Sequence, residues 1–317
     1  MVHGGGGWYV VGSWGGAWRV AGADAWAFLQ SQAANDLGRC EPHPLVWTLW
    51  LDRSGHPQAA TWVRPGEGGV VELRAECAPV AGWTAALEAM IIADEVELAD
   101  CGAGQRRLTL GGDAVAALFA ERGITAPAAG AVATAGDGAV VWASREVPGA
   151  WEVDLPVTAW PTWEEALAAQ SLVEESEQAR ENRRIGAGIA TVPRDIGPAD
   201  LPQEGGLERE GVSYQKGCYL GQEVMARLQA QGRTRRSLVR VHLKGAGTPL
   251  NGMVLVADGQ VAGTLRSFGE AGEQGERSGF ALLKDRLVEK EIFQVGDRPD
   301  GLVARLTGRN HHAHEHS

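Results

Sequence analysis

The sequence predicts an α+β fold that ends in a small closed or partly closed β-barrel. Three observations lead there. Up to about Gln231, short strand-like segments rich in Val, Leu and Trp are interleaved with stretches of helical period. After Arg236 the helical stretches stop, and short strand-like segments follow one another. Between the two regions, Gly232 to Arg236 carries a glycine and a cluster of arginines, which marks a domain boundary.

Taken in order, Trp8 to Val11 and Trp18 to Val20 read as strands joined by a Gly/Ser-rich turn. Asp24 is placed to cap a helix through Trp26, Phe28 and Leu29 to about Ala33. Leu45 to Leu51, Gln58 to Val63 and Val70 to Arg74 form a meander with turns at Asp52-Arg-Ser-Gly55 and Pro65-Gly-Glu-Gly-Gly69. Trp83, Leu87, Met90 and Ile91 mark an amphipathic helix. A second set follows: a strand at Leu108 to Leu110, a helix from Asp113 to Arg122, a loop from Ala126 to Asp137, and strands at Ala139 to Ala143 and Trp151 to Leu155. Pro161 to about Arg184 reads as helical and acidic, ended by Gly186 and Gly188, and Ile189 to Leu201 as an extended connection. The barrel strands are Ser237 to Lys244, Gly252 to Ala257, Gln260 to Arg266, Ser278 to Lys284 and Gly301 to Leu306, with Asp258-Gly259 as a hairpin turn. The expected domains are residues 1–232, with two α+β subdomains, and the barrel at 233–309, followed by a His-rich tail at 310–317 expected to be disordered.

Composition narrows the function. The 317 residues carry a formal charge of −11, which argues against general attraction to nucleic acid or to an anionic membrane. No apolar run is long enough to span a bilayer and Met1 to Gly7 lacks the pattern of a signal peptide, so a cytoplasmic protein is expected. The cysteines Cys40, Cys77, Cys101 and Cys218 form no CxxC pair, so neither a local zinc site nor a disulfide framework is expected. The 12 tryptophans are expected in cores or at domain interfaces.

The most informative stretch runs from Ser213 to Arg227. Val224, Met225 and Leu228 share one helical face, which puts Cys218 on a tight turn at or just before a helix N-terminus. The helix dipole, Lys216 and the downstream arginines Arg227, Arg233, Arg235 and Arg236 favour its thiolate. Gly217 and Gly221 allow a turn that a Cβ would forbid. Tyr219 covers the thiol, stacks on a ligand, or packs in the core. Gln222 and Glu223 cap the helix or accept hydrogen bonds from a ligand.

Lys216-Gly-Cys-Tyr-Leu-Gly-Gln-Glu223 resembles the K-G-C-[FY]-x-G-Q-E signature of the YgfZ family, whose relatives include a mitochondrial iron–sulfur assembly factor. Asp24 to Gln32 resembles the family's D-A-x-x-F-L-Q-x-Q helix. Arg184-Ile-Gly-Ala-Gly188 with Leu201-Pro-Gln-Glu204 resembles its R-I-E-A-G and P-Q-E run. The resemblance covers nearly the whole chain. It implies the fold of the glycine cleavage system T protein, with a folate-binding region around a central channel and a C-terminal β-barrel.

The resemblance further implies a tetrahydrofolate-dependent factor for assembly or repair of iron–sulfur proteins, linked to tRNA modification. Cys218 and Lys216 would be its working residues, with Tyr219, Gln222, Glu223, Arg184, Glu204 and Arg227 at the folate site. Its partners would be iron–sulfur client proteins or assembly machinery, with no direct DNA binding and with the chain as a monomer. One position departs: Gly186 stands where the family pattern has a carboxylate for the pterin edge, and Glu181 or Glu204 is a candidate to replace it. Two other functions stay open, a folate-dependent aminomethyl or one-carbon transferase using Asp52, which otherwise is only a turn residue, and a non-catalytic folate-binding scaffold. The basic run Arg227, Arg233, Arg235, Arg236, Arg240 and Lys244 is either an anion site, for a folate glutamate tail or an RNA, or a solvated stretch between domains.

Overall fold

The computed structural model describes residues 6–40, 45–232, 234–272, 274–296 and 301–309. The His-rich tail and Arg233 lie outside them. The chain first builds two sheets that alternate in sequence. Strand β1 (Gly7–Gly12) opens the first sheet, and β2 (Gly16–Ala21) already belongs to the second. The Gly/Ser-rich turn is therefore a crossing: Ser13 to Gly15 carries the chain from one sheet to the other, and the Gly15 N–H donates to Ala75 O at 2.8 Å. A Cβ at Gly15 would collide with the backbone of Cys77 and Ala78, which fixes the glycine there.

Helix α1 (Ala25–Gln32) follows, and its Asp24 carboxylate accepts from Glu95 N at 2.8 Å rather than capping the helix. Strands β3 (Val46–Leu51), β4 (Pro57–Pro65) and β5 (Val71–Ala75), helix α2 (Trp83–Glu88) and β6 (Glu97–Asp100) complete the second sheet in the order β3-β4-β5-β2-β6. Alternation along β3 explains why it reads as a continuous apolar run. Val46 and Trp50 face the core under α1 and α2, whereas Trp47, Leu49 and Leu51 face a second core shared with the barrel.

The first sheet resumes with β7 (Gln105–Gly112), helix α3 (Ala114–Glu121), and strands β8 (Ala133–Thr134), β9 (Val140–Ala143) and β10 (Trp151–Pro156). The long helix expected from Pro161 to Arg184 is two helices, α4 (Trp160–Ala169) and α5 (Glu177–Ala187), separated by the short strand β11 (Val173–Glu174). Ser171 takes a positive φ of 54° at the break, and Leu172 is buried in the first sheet's core. There β11 pairs with β1, giving the order β11-β1-β7-β10-β9-β8. Gly188 ends α5 in the left-handed region, as expected, and Gly186 is a helical residue.

After the short helix α6 (Glu208–Gly211) and helix α7 (Gln222–Gln231), the chain enters a closed six-stranded barrel. Its strands are β12 (Arg236–Lys244), β13 (Val254–Ala257), β14 (Gln260–Phe268), β15 (Arg277–Lys284), β16 (Ile292–Val295) and β17 (Val303–Arg309).

Tryptophans and buried charges join the two sheets. Trp14 stacks on Trp142 at 5.6 Å, with Trp62 beside it, and every tryptophan is buried or half-buried. Asp154 of β10 accepts from Trp14 Nε1 at 2.9 Å, and from Arg64 and Arg74 of the second sheet at 2.9 and 2.8 Å. Arg236 ties the barrel on. Its guanidinium donates to both oxygens of Glu204 at 2.8 and 2.7 Å and lies 3.2 Å from Asp200. No helix among the described residues is long and apolar enough to cross a membrane.

Candidate functional site

The loop before α7 holds the cysteine motif. Gly221 is the N-cap of α7 with φ +84°, and a Cβ there would lie 2.6 Å from Asp52 O. The Asp52–Gly55 turn is thus the surface against which the loop closes, and Gly55 in turn packs against Val224 and Met225. Gly217 has open space at its Cβ position and no positive φ, so only Gly221 is required by the turn.

Lys216 anchors the other side of the loop. Its ammonium donates to the carbonyls of Gln30, Ala33 (2.6 Å) and Asn35 (3.1 Å), the unpaired carbonyls at and just beyond the C-terminal end of α1. Burial pushes this lysine down to about 8, with Asp36 opposing. Tyr219 is buried with Met225 in the core shared with the barrel, 5.5 Å from the Lys216 ammonium, and burial pushes its phenol up to about 12. Between these two fixed points Cys218 is exposed, whereas Cys77 and Cys101 are half-buried. Gln222 is half-buried, Glu223 and Arg227 are exposed, and none of their side chains makes a hydrogen bond or ion pair among the described residues. Glu223 sits in the first turn of α7, where its charge suits the helix dipole.

A cavity of about 420 Å³ opens elsewhere, where the two sheets meet α5. Its walls come from separate segments: Ser13 and Gly15 of the crossing, Glu76 and Cys77 after β5, Arg180 and Glu181 of α5, and Arg194 of the following loop. Glu181 is held by Arg184 (2.8 and 2.5 Å) and lies 3.2 Å from Arg194. Arg184 is buried and also donates to Asp195 at 2.7 Å; these carboxylates raise its pKa. It therefore stands behind Glu181 as its support and is not part of the cavity wall. Arg194 donates to the Cys77 thiol at 3.3 Å, while burial pushes that thiol up. Burial and the neighbouring Glu146 push Glu76 up to about 7, against the pull of Arg145 and Arg107.

Several expected residues sit away from this cavity. Gly186 is exposed and not in its wall, and its carbonyl accepts from Arg240 at 2.7 Å. Glu204 is engaged by Arg236 and the Leu201 N–H. Glu181, the other expected replacement, lines the cavity. In the basic run, Arg236 and Arg240 serve the contacts just described, and Lys244 pairs with Glu276 on the surface at 2.9 Å. Arg227 and Arg235 are exposed. Asp52 uses one oxygen to accept from Ser54 N and His56 N, at 2.8 and 2.9 Å, in the turn. It also borders a smaller apolar cavity of about 240 Å³ with Trp50, Trp83 and Leu220. Cys218 lines neither cavity. Glu76 and Cys77 were not singled out from sequence. The only signal is a carboxylate and a thiol directly after a strand, and their convergence with α5 is long-range.

No family model matches the chain. The structure is similar to the glycine cleavage system aminomethyltransferase T of Bartonella henselae, with a TM-score of 0.76 over 95% of this chain and 85% of that one, at 16% identity. That likeness establishes the fold. In sequence, 110 residues are 28% identical to the tRNA-modifying protein YgfZ of Photobacterium profundum, covering 33% of each chain. A stretch of 116 residues is 35% identical to the mouse mitochondrial iron–sulfur cluster assembly factor IBA57, covering 35% of this chain and 30% of that one.

Over these stretches the chain is similar to the YgfZ and IBA57 proteins.

The matched stretches span about a third of the length of these curated relatives. The YgfZ and IBA57 likeness agrees with the family read from Lys216 to Glu223, and the aminomethyltransferase fold agrees with the α+β region and the closed or partly closed barrel read from the strand pattern.

Proposed function

We propose that the chain is a folate-binding factor in the maturation or repair of iron–sulfur proteins, with a link to tRNA modification, and that Cys218 is its working thiol. The names of the relatives support the process. The observation that carries the role of the thiol is its presentation. Cys218 is exposed on a loop fixed by Lys216 on one side and by Gly221 against Asp52 on the other. One thiol does not complete a cluster's usual set of four ligands, so contact with iron or with a client's cluster is transient or shared.

The central cavity is the proposed folate seat. Its volume of about 420 Å³ lies in the range of small-molecule sites, roughly 300–1,000 Å³. Its lining also fits a ligand with a polar heteroaromatic edge: Glu76 offers an acceptor, and Arg180 and Arg194 offer cationic donors for an anionic part. Bound tetrahydrofolate would supply a reduced pterin able to carry one-carbon groups. The chain's own residues would orient it and hold its donor edge.

Titration calorimetry of the purified chain with tetrahydrofolate tests the folate half. Saturable binding that is lost on Arg194→Glu supports it, and a flat wild-type titration removes folate from the account. The aminomethyltransferase alternative predicts release of formaldehyde equivalents from an aminomethyl donor only when folate is present. Its candidate base, Asp52, uses one oxygen to close a turn and borders the smaller cavity.

A further inference from the structure

We propose that Glu76 is the specificity residue of the central cavity, its carboxylate receiving through Oε2 an N–H donor from the ligand, as the amino-pyrimidinone edge of a pterin presents one. This inference rests on the folate reading of that cavity.

The argument is one of hydrogen-bonding capacity. Three carboxylates line the cavity: Glu76, Glu177 and Glu181. Both oxygens of Glu181 already accept from Arg184, at 2.5 and 2.8 Å, with Arg194 at 3.2 Å from one of them. Glu177 is 60% exposed and solvated at the rim. Glu76 differs from both. It is only 9% exposed, and its Oε1 accepts from Trp62 Nε1 at 3.1 Å. Its Oε2 receives no hydrogen bond among the described residues, and the nearest cation is Arg145 Nη1 at 3.5 Å. That nitrogen is itself buried without a hydrogen-bond partner among the described residues. Glu76 lines the cavity, so a ligand N–H that reaches this oxygen adds a charge-assisted hydrogen bond. Gly186 sits outside the cavity wall, whereas Glu76, directly after β5, lines it.

The surroundings make the contact pH-dependent. Arg145, Arg107, Glu146 and Glu152 face Glu76 from the first sheet side, and Cys77, Arg180, Glu181 and Arg194 share its cavity. Burial keeps the Cys77 thiol above its ordinary range, and Glu146 is held down at about 2 by Arg107, Arg180 and Arg184 against its own burial, so neither changes charge between about pH 6 and 8. Glu76, pushed up to about 7, changes charge in that interval. A ligand that donates to the carboxylate binds only the ionised form. Its affinity therefore falls as pH drops through about 7, approaching tenfold per pH unit below that point.

The test is calorimetry of the full chain with tetrahydrofolate between about pH 6 and pH 8, on wild type, Glu76→Gln and Glu76→Asp. Gln keeps the side chain's length and an acceptor for Trp62. Asp keeps the charge but withdraws it from the cavity. The expected result is a wild-type affinity that weakens toward pH 6, a Glu76→Gln affinity at least about tenfold weaker at pH 8 and level with pH, and a Glu76→Asp protein that is weaker yet still pH-dependent. Wild-type binding with Glu76→Gln unchanged in affinity and pH profile overturns the inference alone. A wild type that binds no folate at any pH overturns the folate reading and this inference with it.

Discussion

Replacing Lys216 with methionine isolates the anchor of the cysteine loop. Methionine keeps most of the aliphatic stem and removes the ammonium, which donates to the carbonyls of Gln30, Ala33 and Asn35. A hydrogen bond with a charged partner contributes about 1.5–3 kcal/mol net, so the full set sums to several kcal/mol. Two effects reduce that sum. Burial partly desolvates the ammonium and lowers its pKa to about 8, and water reaches a half-buried site to replace some of the lost donors. The expected loss for Lys216→Met is about 2–4 kcal/mol. It is read as a shift in the urea midpoint by tryptophan fluorescence, with faster amide hydrogen exchange confined to residues 25–36 and 213–221. Lys216→Arg, which keeps the charge, should lose less. A Lys216→Met protein within about 0.5 kcal/mol of wild type, with unchanged exchange, would mean that water serves those carbonyls as well and that the loop is held by Gly221 and Tyr219 alone.

Gly186→Ala should stabilise the chain by about 0.5–1 kcal/mol, since the position is helical and exposed with open space for a Cβ; a lower urea midpoint would show that the glycine has a packing role. Arg236→Ala should destabilise it by about 1.5–3 kcal/mol, because Glu204 and Asp200 are left buried while only Asp200 keeps a second arginine, Arg266. The measurement is again the urea midpoint, and no change would assign Arg236 to the solvated reading of the basic run. Arg235→Glu, at an exposed position, should leave stability unchanged and weaken polyglutamylated folate more than monoglutamate; equal weakening of both would end the glutamate-tail assignment for this residue.

What could be seen in the sequence follows the range of the forces involved. The α7 face of Val224, Met225 and Leu228 was legible because helical periodicity is local, and Met225 is indeed fully buried there. The barrel was legible from repeated short strands, although β16 was missed because Ile292 to Val295 is short and follows a charged segment. The partition of β1 and β2 into different sheets was not legible. A Gly/Ser turn between two strands has the same local signature whether the strands pair or part, and only the close approach of Gly15 to Cys77 decides it. The break between α4 and α5 was hidden for the same reason, because it depends on Leu172 finding the first sheet's core and β11 finding β1. At the site, the loop around Cys218 was readable as a motif. The cavity was not, because Glu76 meets Glu181 and Arg194 from a segment far away in the chain.

The central claim is that the function runs through the thiol of Cys218. Its most direct test is replacement of Cys218 by alanine in cells that lack the native gene, with the activity of iron–sulfur enzymes as the readout and protein level as the control. Because Cys218 is exposed and outside the packed core, the variant should accumulate like wild type. The account predicts iron–sulfur enzyme activity no higher than in cells carrying no copy. Rescue equal to wild type would contradict it and leave the motif as a structural element of the loop.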